Sequence, residues 1–269
     1  MDQTGRLEHI LMGKPDGLEV DDLTANEAMR KRLRELFDAV DEYEERFVER
    51  FVAPRRWPRP VPEKACHFLG LILQRSRLLL WGILGGIKDH NFLAAILCTR
   101  AHYECTGYLA YCLNCLQNMY DGKISAEKAS GTLDTLMIGY RTLPWEVPEK
   151  FQIDSLNVLT GIDTADKLTK KILSRDTAVF RKFYDFLCEL CHPNMLGIRI
   201  GARPTPDFQC YDLDRDPILD EVELETVQNY AKLSLTLFLL CYDTTWKLLR
   251  AKEKILPRLI KRVSPTPSD

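Results

Sequence analysis

The stretch NFLAAILCTRAHYECTGYLAYCLNCLQNMY, residues 91–120, decides the fold of this chain. Its apolar side chains cover more than half of a helical circumference, so the helix they form must be surrounded by other elements. Asn91 precedes the run and is a candidate N-cap, because its side chain can accept a hydrogen bond from the first free backbone N–H groups. The stretch therefore predicts the central helix of an α-helical bundle.

Further helices are expected on both sides of this segment, from apolar residues that recur with helical periodicity. They are predicted at 24–51 (with Thr24 and Glu27 as a capping box), 63–88, 125–141, 164–174, 176–191 and 220–252. The last of these is acidic in its first turns and basic in its last turns, which matches the helix dipole. Five long or medium helices, a few short ones and mostly short loops predict an all-α, antiparallel, up-and-down bundle.

The segments between and beyond the helices differ from them in composition. A single helical domain is expected over 24–252, with a proline-rich connector at 54–62 and an irregular insertion at 193–218. Two short alternating runs predict a small hairpin near 198–211. A flexible N-terminal arm over 1–23 and a basic tail over 253–269 complete the expected organisation.

Composition limits the classes of function. The chain has 269 residues with 45% hydrophobic and 28% charged residues, which is typical of a globular protein. Its net charge of −2 excludes a globally basic protein that coats nucleic acid by charge alone. Local basic elements remain, around Trp57 in the connector and over 247–262, where seven Lys or Arg face one Glu. These elements bind phosphates in one interpretation and are solvated, structural segments in the other.

The cysteine pattern and the N-terminus favour the cytoplasm. Residues 1–17 show no basic start followed by an apolar run, so no signal peptide is expected. Most of the nine cysteines lie inside apolar helical patterns, as reduced core cysteines do. The apolar run 66–87 carries Arg75 and Arg77 near its centre, which favours a core helix over a membrane span.

The common enzyme signatures are absent from the sequence. It contains no glycine-rich phosphate loop, no His-Glu-x-x-His and no Gly-x-Ser-x-Gly. Their absence makes a catalytic role an open question, and no cofactor is expected.

The first polar constellation is Arg100 with Glu104 on the central helix. The two residues are four apart and share a face, bordered by Leu97 and Tyr108. A charge pair among apolar neighbours is expected to be at least half buried and must be paired, because an isolated buried charge is costly. It is either a preorganised polar site or a structural ion pair.

The second constellation ends the helix at 176–191, in the run Tyr184 to Asn194. Pro193 forces the helix to end near His192, where the carbonyl dipoles favour an imidazolium. His192 is a candidate general acid or base if it meets Glu104, and a simple helix cap if it does not. We predict that His192 and Glu104 approach within hydrogen-bond or one-water reach.

The stretches RAHYECTGYL (100–109) and FYDFLCELCHPN (183–194) resemble an uncharacterised bacterial branch of the HEPN superfamily of helical nucleotide-binding proteins. Those proteins carry an Arg-x-x-x-Glu helix and a later helix that ends in His-Pro. The resemblance implies an antiparallel, often dimeric bundle that binds nucleotides or cleaves RNA without metal in stress or defence settings. It assigns catalysis to His192, Glu104 and Arg100, and binding to Tyr184, Asn194 and Tyr108.

The sequence departs from the ribonuclease members of that superfamily. The catalytic motif of those members is an Arg, four to six intervening residues and a His. This motif is absent here, since ten residues separate Arg181 from His192. This departure keeps open a non-catalytic module that dimerises or binds a protein partner. The expected partners are therefore a second copy of the chain, RNA or a nucleotide, or another protein.

Two Cys-x-x-Cys pairs offer a weaker metal alternative. Cys112 with Cys115 and Cys188 with Cys191 would supply four thiolates for tetrahedral zinc. The 72 residues between the pairs and the core-like spacing of Cys98, Cys105 and Cys112 argue against it. No metal is expected.

Overall fold

The computed structural model describes residues 20–46, 60–139, 154–174, 178–205, 210–213 and 219–252. The helices are α1 Val20–Leu23, α2 Glu27–Glu44, α3 Val61–Lys88, α4 Phe92–Tyr120, α5 Ala126–Ile138, α6 Val158–Leu173, α7 Val179–Cys191 and α8 Glu221–Lys252. The strands are β1 Ala202–Pro204 and β2 Tyr211–Leu213, which pair antiparallel. The predicted all-α bundle is confirmed.

Helix α4 lies at the centre of the bundle, as its sequence predicts. It packs most extensively against α3, α8 and α6, and also against α7 and α5. A tight turn joins α3 to α4, and His90 takes the left-handed conformation there, with φ 52°. The side chain of Asn91 accepts a hydrogen bond from the backbone of Ala94, which confirms Asn91 as the cap of α4.

Glycines set the closest approaches of α4 to its neighbours. A Cβ on Gly86 of α3 would lie 2.7 Å from the backbone nitrogen of Ala95, and a Cβ on Gly107 would lie 2.9 Å from the backbone of Gly161. No larger side chain fits either crossing without moving a helix. Gly86, near the end of α3, therefore marks a close contact between α3 and α4.

A buried polar network crosses the core beside α4. His102 is fully buried, with Nε2 2.8 Å from the hydroxyl of Ser76 on α3 and Nδ1 2.7 Å from that of Ser234 on α8. Thr106 donates to the carbonyl of His102 and lies 3.0 Å from Ser234 Oγ. Both ring nitrogens are thus satisfied, as a buried imidazole requires.

Helical structure begins earlier than the sequence indicated. Val20 and Leu23, three apart inside the predicted arm, are buried and form helix α1, which packs against α2. Helix α2 begins at Glu27, and Asn26 caps it through bonds from two backbone N–H groups. Thr24 accepts a bond from the Asn26 backbone instead, so the predicted Thr24 capping box is wrong.

Two other boundaries also differ from prediction. Helix α3 starts at Val61 with Pro62 in its first turn, where a proline lacks only an N–H that would be unpaired anyway. Helix α6 starts at Val158 under an Asn157 cap, six residues before the predicted start at residue 164. Gly161 is tolerated in it because it makes the crossing with α4.

The predicted hairpin exists but is displaced toward the C-terminus. Residues 197–199 form a short 3-10 turn, and the first strand starts only at residue 202. Several other predicted features lie wholly or mostly outside the described residues: the arm at 1–23, the connector at 54–62 and the tail at 253–269.

Helix α3 is the one described helix that is long and apolar enough to cross a membrane, judged by length and composition alone. The same properties are typical of a core helix, and 44% of its most apolar window is buried in the bundle. In this fold it packs against α4, α5 and α8.

Candidate functional site

The structure joins three of the predicted site residues in one cluster between α4 and α7. Arg100 Nη2 lies 3.2 Å from Glu104 Oε1 and donates to the hydroxyl of Tyr184 at 3.3 Å. The Tyr184 hydroxyl in turn donates to Glu104 Oε1 at 3.0 Å. Arg100 Nε also donates to Cys188 Sγ at 3.2 Å. Arg100, Glu104 and Tyr184 therefore form a closed triangle of polar contacts.

The cluster follows from how two helices are aligned. Arg100 and Glu104 share a face of α4 because they are four residues apart. Helix α7 runs antiparallel to α4, since Phe180 stacks on Tyr103 at 4.4 Å while the later Cys188 reaches the earlier Arg100. This alignment places Tyr184 between the two charged side chains.

Burial and charge fix the protonation of the cluster. Burial lowers the pKa of Arg100, but the bond to Cys188 and the charge of Glu104 outweigh it, so its pKa lies above the ordinary value. Burial, followed by the Glu104 charge, raises the pKa of Tyr184 above its ordinary value. Tyr184 therefore stays protonated and donates a hydrogen bond to the Glu104 carboxylate. The side chains of Arg100 and Glu104 are each 28% exposed, which confirms their predicted partial burial.

A cavity of about 340 Å³ opens beside Glu104, between α3, α4 and α5. Glu104, Arg75 and Tyr108 supply its polar groups, and its apolar wall is formed by Phe68, Leu71, Ile72, Cys105, Leu136 and Met137. The Tyr108 hydroxyl donates to the carbonyl of Leu156 at 3.1 Å, which holds the ring in place. The volume lies at the lower end of the range for small-ligand sites.

Two charged groups of this cavity have no ionic partner beyond those named, and Arg75 has a hydrogen bond only to the thiol of Cys105 among the described contacts. The cluster uses Glu104 Oε1, and within the described ranges no hydrogen bond reaches Oε2. Arg75 is exposed and forms no ion pair with any described carboxylate. Its guanidinium lies near Cys105, where burial raises the pKa of the thiol to about 11 and the arginine charge opposes that rise. The cavity thus offers an acceptor and a separate cation.

His192 does not join this cluster. It is the exposed C-cap of α7, and no hydrogen bond or ion pair links it to Glu104 in the described structure. Tyr184 occupies the position beside Glu104, and a helical rise of 1.5 Å per residue carries His192 about 12 Å further along α7. Because α7 is antiparallel to α4, that displacement leads away from Glu104. The described structure contains no direct hydrogen bond between the two residues, and contact through one water stays a prediction.

Asn194 is engaged in the loop after α7. Its side chain donates to Glu189 at 2.5 Å and accepts bonds from the backbone N–H groups of Leu196 and Gly197. These contacts are typical of an Asx turn, in which the side chain organises the chain reversal. The structure therefore gives Asn194 a local structural role and leaves it out of the cluster.

The two Cys-x-x-Cys pairs do not converge. Cys112 is fully buried in the core, where burial raises its pKa far above the ordinary value, whereas Cys188 contacts Arg100. Twelve residues of α4, about 18 Å of rise, separate Cys112 from Arg100. Among the described residues no group of three or more His, Cys, Asp or Glu side chains is placed to hold a metal ion. The four-cysteine zinc alternative is therefore wrong.

Sequence reasoning missed Arg75 as a site residue. It had been read only as a charge that argues against a membrane span. Arg75 lies in the middle of an apolar helix with no acidic residue one turn away, and this isolation was the one available signal. His102 was missed for a different reason, because nothing in the sequence distinguishes a core histidine from a surface one.

Comparison of the chain with protein-family models, with curated proteins and with solved structures gave no match.

Proposed function

We propose that this chain is a HEPN-like helical protein that binds a nucleotide, free or at an unpaired position of RNA, in the cavity beside Glu104. The observation that carries the proposal is the half-used carboxylate of Glu104. Oε1 is held by Arg100 and Tyr184, Oε2 has no hydrogen-bond partner among the described residues, and Glu104 lines a cavity of ligand size.

The lining suits the two chemically different parts of a nucleotide. The apolar wall and the fixed ring of Tyr108 provide a surface for the flat face of a base. Glu104 Oε2 accepts a hydrogen bond from an amino or imino group on the base edge. Arg75 provides a guanidinium for the phosphate, which it can bind through two parallel hydrogen bonds.

The arrangement favours binding over cleavage. Metal-independent phosphodiester cleavage needs an acid and a base within reach of the reacting oxygens. Glu104 is paired with Arg100, and the predicted acid–base partner His192 lies on the exposed end of α7 with no hydrogen bond to Glu104 among the described contacts. We therefore propose that a nucleotide in this cavity is bound and left intact. The bacterial stress or defence setting is what the resemblance to the HEPN superfamily implies.

Binding is tested with the full chain by calorimetry against the four nucleoside monophosphates. Glu104→Gln and Arg75→Gln are each expected to weaken binding about 10–100-fold, the cost of one charge-assisted hydrogen bond. Lys88→Gln, on the same helix as Arg75 but remote from the cavity, is the charge-matched control and should leave affinity unchanged. Absence of binding at millimolar nucleotide, or equal affinity in Glu104→Gln, refutes the proposal.

Cleavage is tested separately with RNA in EDTA. We expect the same low background from the wild type and from His192→Ala. Cleavage that is lost in His192→Ala would instead establish a divergent metal-independent ribonuclease.

A second candidate function is a homodimeric interaction module, favoured by exposed leucines. Leu71 and Leu78 of α3 are 51% and 53% exposed, and Leu93 and Leu97 lie exposed on the adjacent α4. A second copy of the chain would cover these side chains and the cavity mouth at Leu71. Sedimentation velocity at protein concentrations from about 1 µM to about 100 µM tests this. A wild-type dimer that Leu78→Lys converts to a monomer supports the dimeric module. A wild type that stays monomeric up to about 100 µM refutes it.

A further inference from the structure

A second cleft, of about 300 Å³, lies between α4 and α6. Its polar lining consists of Asn114, Gln117, Thr164, Lys167 and Lys171, above an apolar floor. Gln117 stands 13 residues after Glu104, which at 100° per residue places it about 140° around α4 from that carboxylate. The cleft is therefore separate from the nucleotide cavity and lies on another side of the central helix.

The charges of α6 are sorted between two faces of the helix. Asp163 and Asp166 point toward α7, where Arg181 binds Asp163 at 2.7 Å and its backbone N–H donates to Asp166. Thr164, Lys167 and Lys171 recur at spacings of three and four and line the cleft. None of the described residues that line the cleft is a carboxylate, and its two charged side chains are both lysines.

Lys167 and Lys171 have no ionic partner among the described residues, in contrast to their neighbour Lys170. Lys170 pairs with Asp166 at 3.3 Å. Lys167 and Lys171 form no ion pair or hydrogen bond with any other described side chain, although they are one turn apart on the same face. Two like charges at this spacing repel each other, and an anion placed between them removes that cost.

We infer that this cleft binds the phosphate group of a small phosphorylated ligand. Two ammonium groups and two carboxamides can donate to phosphate oxygens, and an ammonium is a common phosphate ligand. The hydroxyl of Thr164 donates to the carbonyl of Thr160 at 2.7 Å. The cleft volume exceeds what inorganic phosphate alone requires, which leaves room for a second phosphoryl group or a short carbon skeleton. The inference is independent of the nucleotide cavity, since the two share no lining residue.

The test measures binding of inorganic pyrophosphate to the full chain by calorimetry. The salt concentration is about 0.15 M, at which attraction between surface charges is screened beyond about 8 Å. We expect wild-type binding and at least a tenfold loss in the double variant Lys167→Gln, Lys171→Gln. Lys170→Gln is the matched control, because it removes the same charge from the same helix outside the cleft. Its affinity should stay within about twofold of wild type.

Four results would overturn the inference. One is the absence of pyrophosphate binding at millimolar concentration, and another is an equal loss in Lys170→Gln, which would mean diffuse attraction to α6. A loss caused by Arg75→Gln would move the binding to the nucleotide cavity. Binding of single-stranded RNA through Lys167 and Lys171 without binding of pyrophosphate would replace the small ligand by a polymer. Equal thermal unfolding of wild type and variants guards each comparison against misfolding.

Discussion

The buried imidazole of His102 makes the fold sensitive to mild acid. Burial lowers the pKa of His102 from its ordinary 6.5 to about 3, while Ser76 and Ser234 satisfy both ring nitrogens. Above pH 6.5 the ring is neutral in both the folded and the unfolded chain, and the full stability is present. Below pH 6.5 the unfolded chain binds a proton that the folded chain does not, so the stability falls until the pH reaches about 3.

The magnitude follows from the width of this window. Each pH unit below 6.5 costs about 1.4 kcal/mol, so the free energy of unfolding should be about 2 kcal/mol lower at pH 5.0 than at pH 7.5. This range lies above the pKa of ordinary carboxyl groups, which limits their contribution. Urea denaturation followed by circular dichroism at the two pH values measures the difference.

His102→Gln removes the titrating group and should abolish most of that pH dependence, although lost hydrogen bonds will lower its stability at every pH. His192→Gln, at an exposed site, is the control and should keep the full drop. The reasoning is refuted if His102→Gln loses as much stability as the wild type between pH 7.5 and 5.0. A ring resonance of His102 that titrates near pH 6.5 in the folded wild type would refute it independently.

Three further predictions concern the scaffold. Lys64→Met should lower the free energy of unfolding by about 2–3 kcal/mol, because the buried Lys64 ammonium lies 2.6 Å from Asp134 and its loss leaves that carboxylate without a cation. Urea denaturation measures the change, and an unchanged free energy of unfolding would contradict the prediction. Gly107→Ala should destabilise by about 1–3 kcal/mol through overpacking against α6, whereas Gly131→Ala, in open space on α5, should stabilise by about 0.5–1 kcal/mol; a comparison of the two melting temperatures is decisive, and equal shifts would be the contrary result. An alkylating reagent applied to the folded chain should label the exposed Cys210 and spare the buried thiols until urea is added, as mass spectrometry will show; early labelling of a buried thiol would contradict the core assignment.

Much of the secondary structure was predictable because its signals are local. The stripe around α4 and the charge gradient of α8 predict their helices within one or two residues, since each depends on side chains one turn apart. The residue at which a helix begins was less predictable where that helix contains a residue that contacts a helix distant in sequence. Gly161 resembles a helix breaker in the sequence, yet it lies inside α6 because α4 approaches its backbone.

In the candidate site, the contact within one helix was predictable and the contacts between helices were not. The pairing of Arg100 with Glu104 was predictable, because a spacing of four on one helix is sufficient to bring them together. The partner across α7 was assigned to the wrong residue, since Tyr184 and His192 lie on the same side of α7 and only the offset between the helices selects between them. The cavity was not predictable at all, because its walls come from three helices.

The sequence by itself determined that this chain is a helical bundle with 91–120 at its centre, because apolar periodicity is a property of consecutive residues. The tertiary structure decided that Tyr184 binds Glu104, that Arg75 shares a cavity with that carboxylate, and that Lys167 and Lys171 line a cleft with no acidic residue from the described part of the chain. The physical reason is the range of the interactions. A bond between residues 80 positions apart depends on how far one packed helix is displaced along another, and that displacement is set by the whole core.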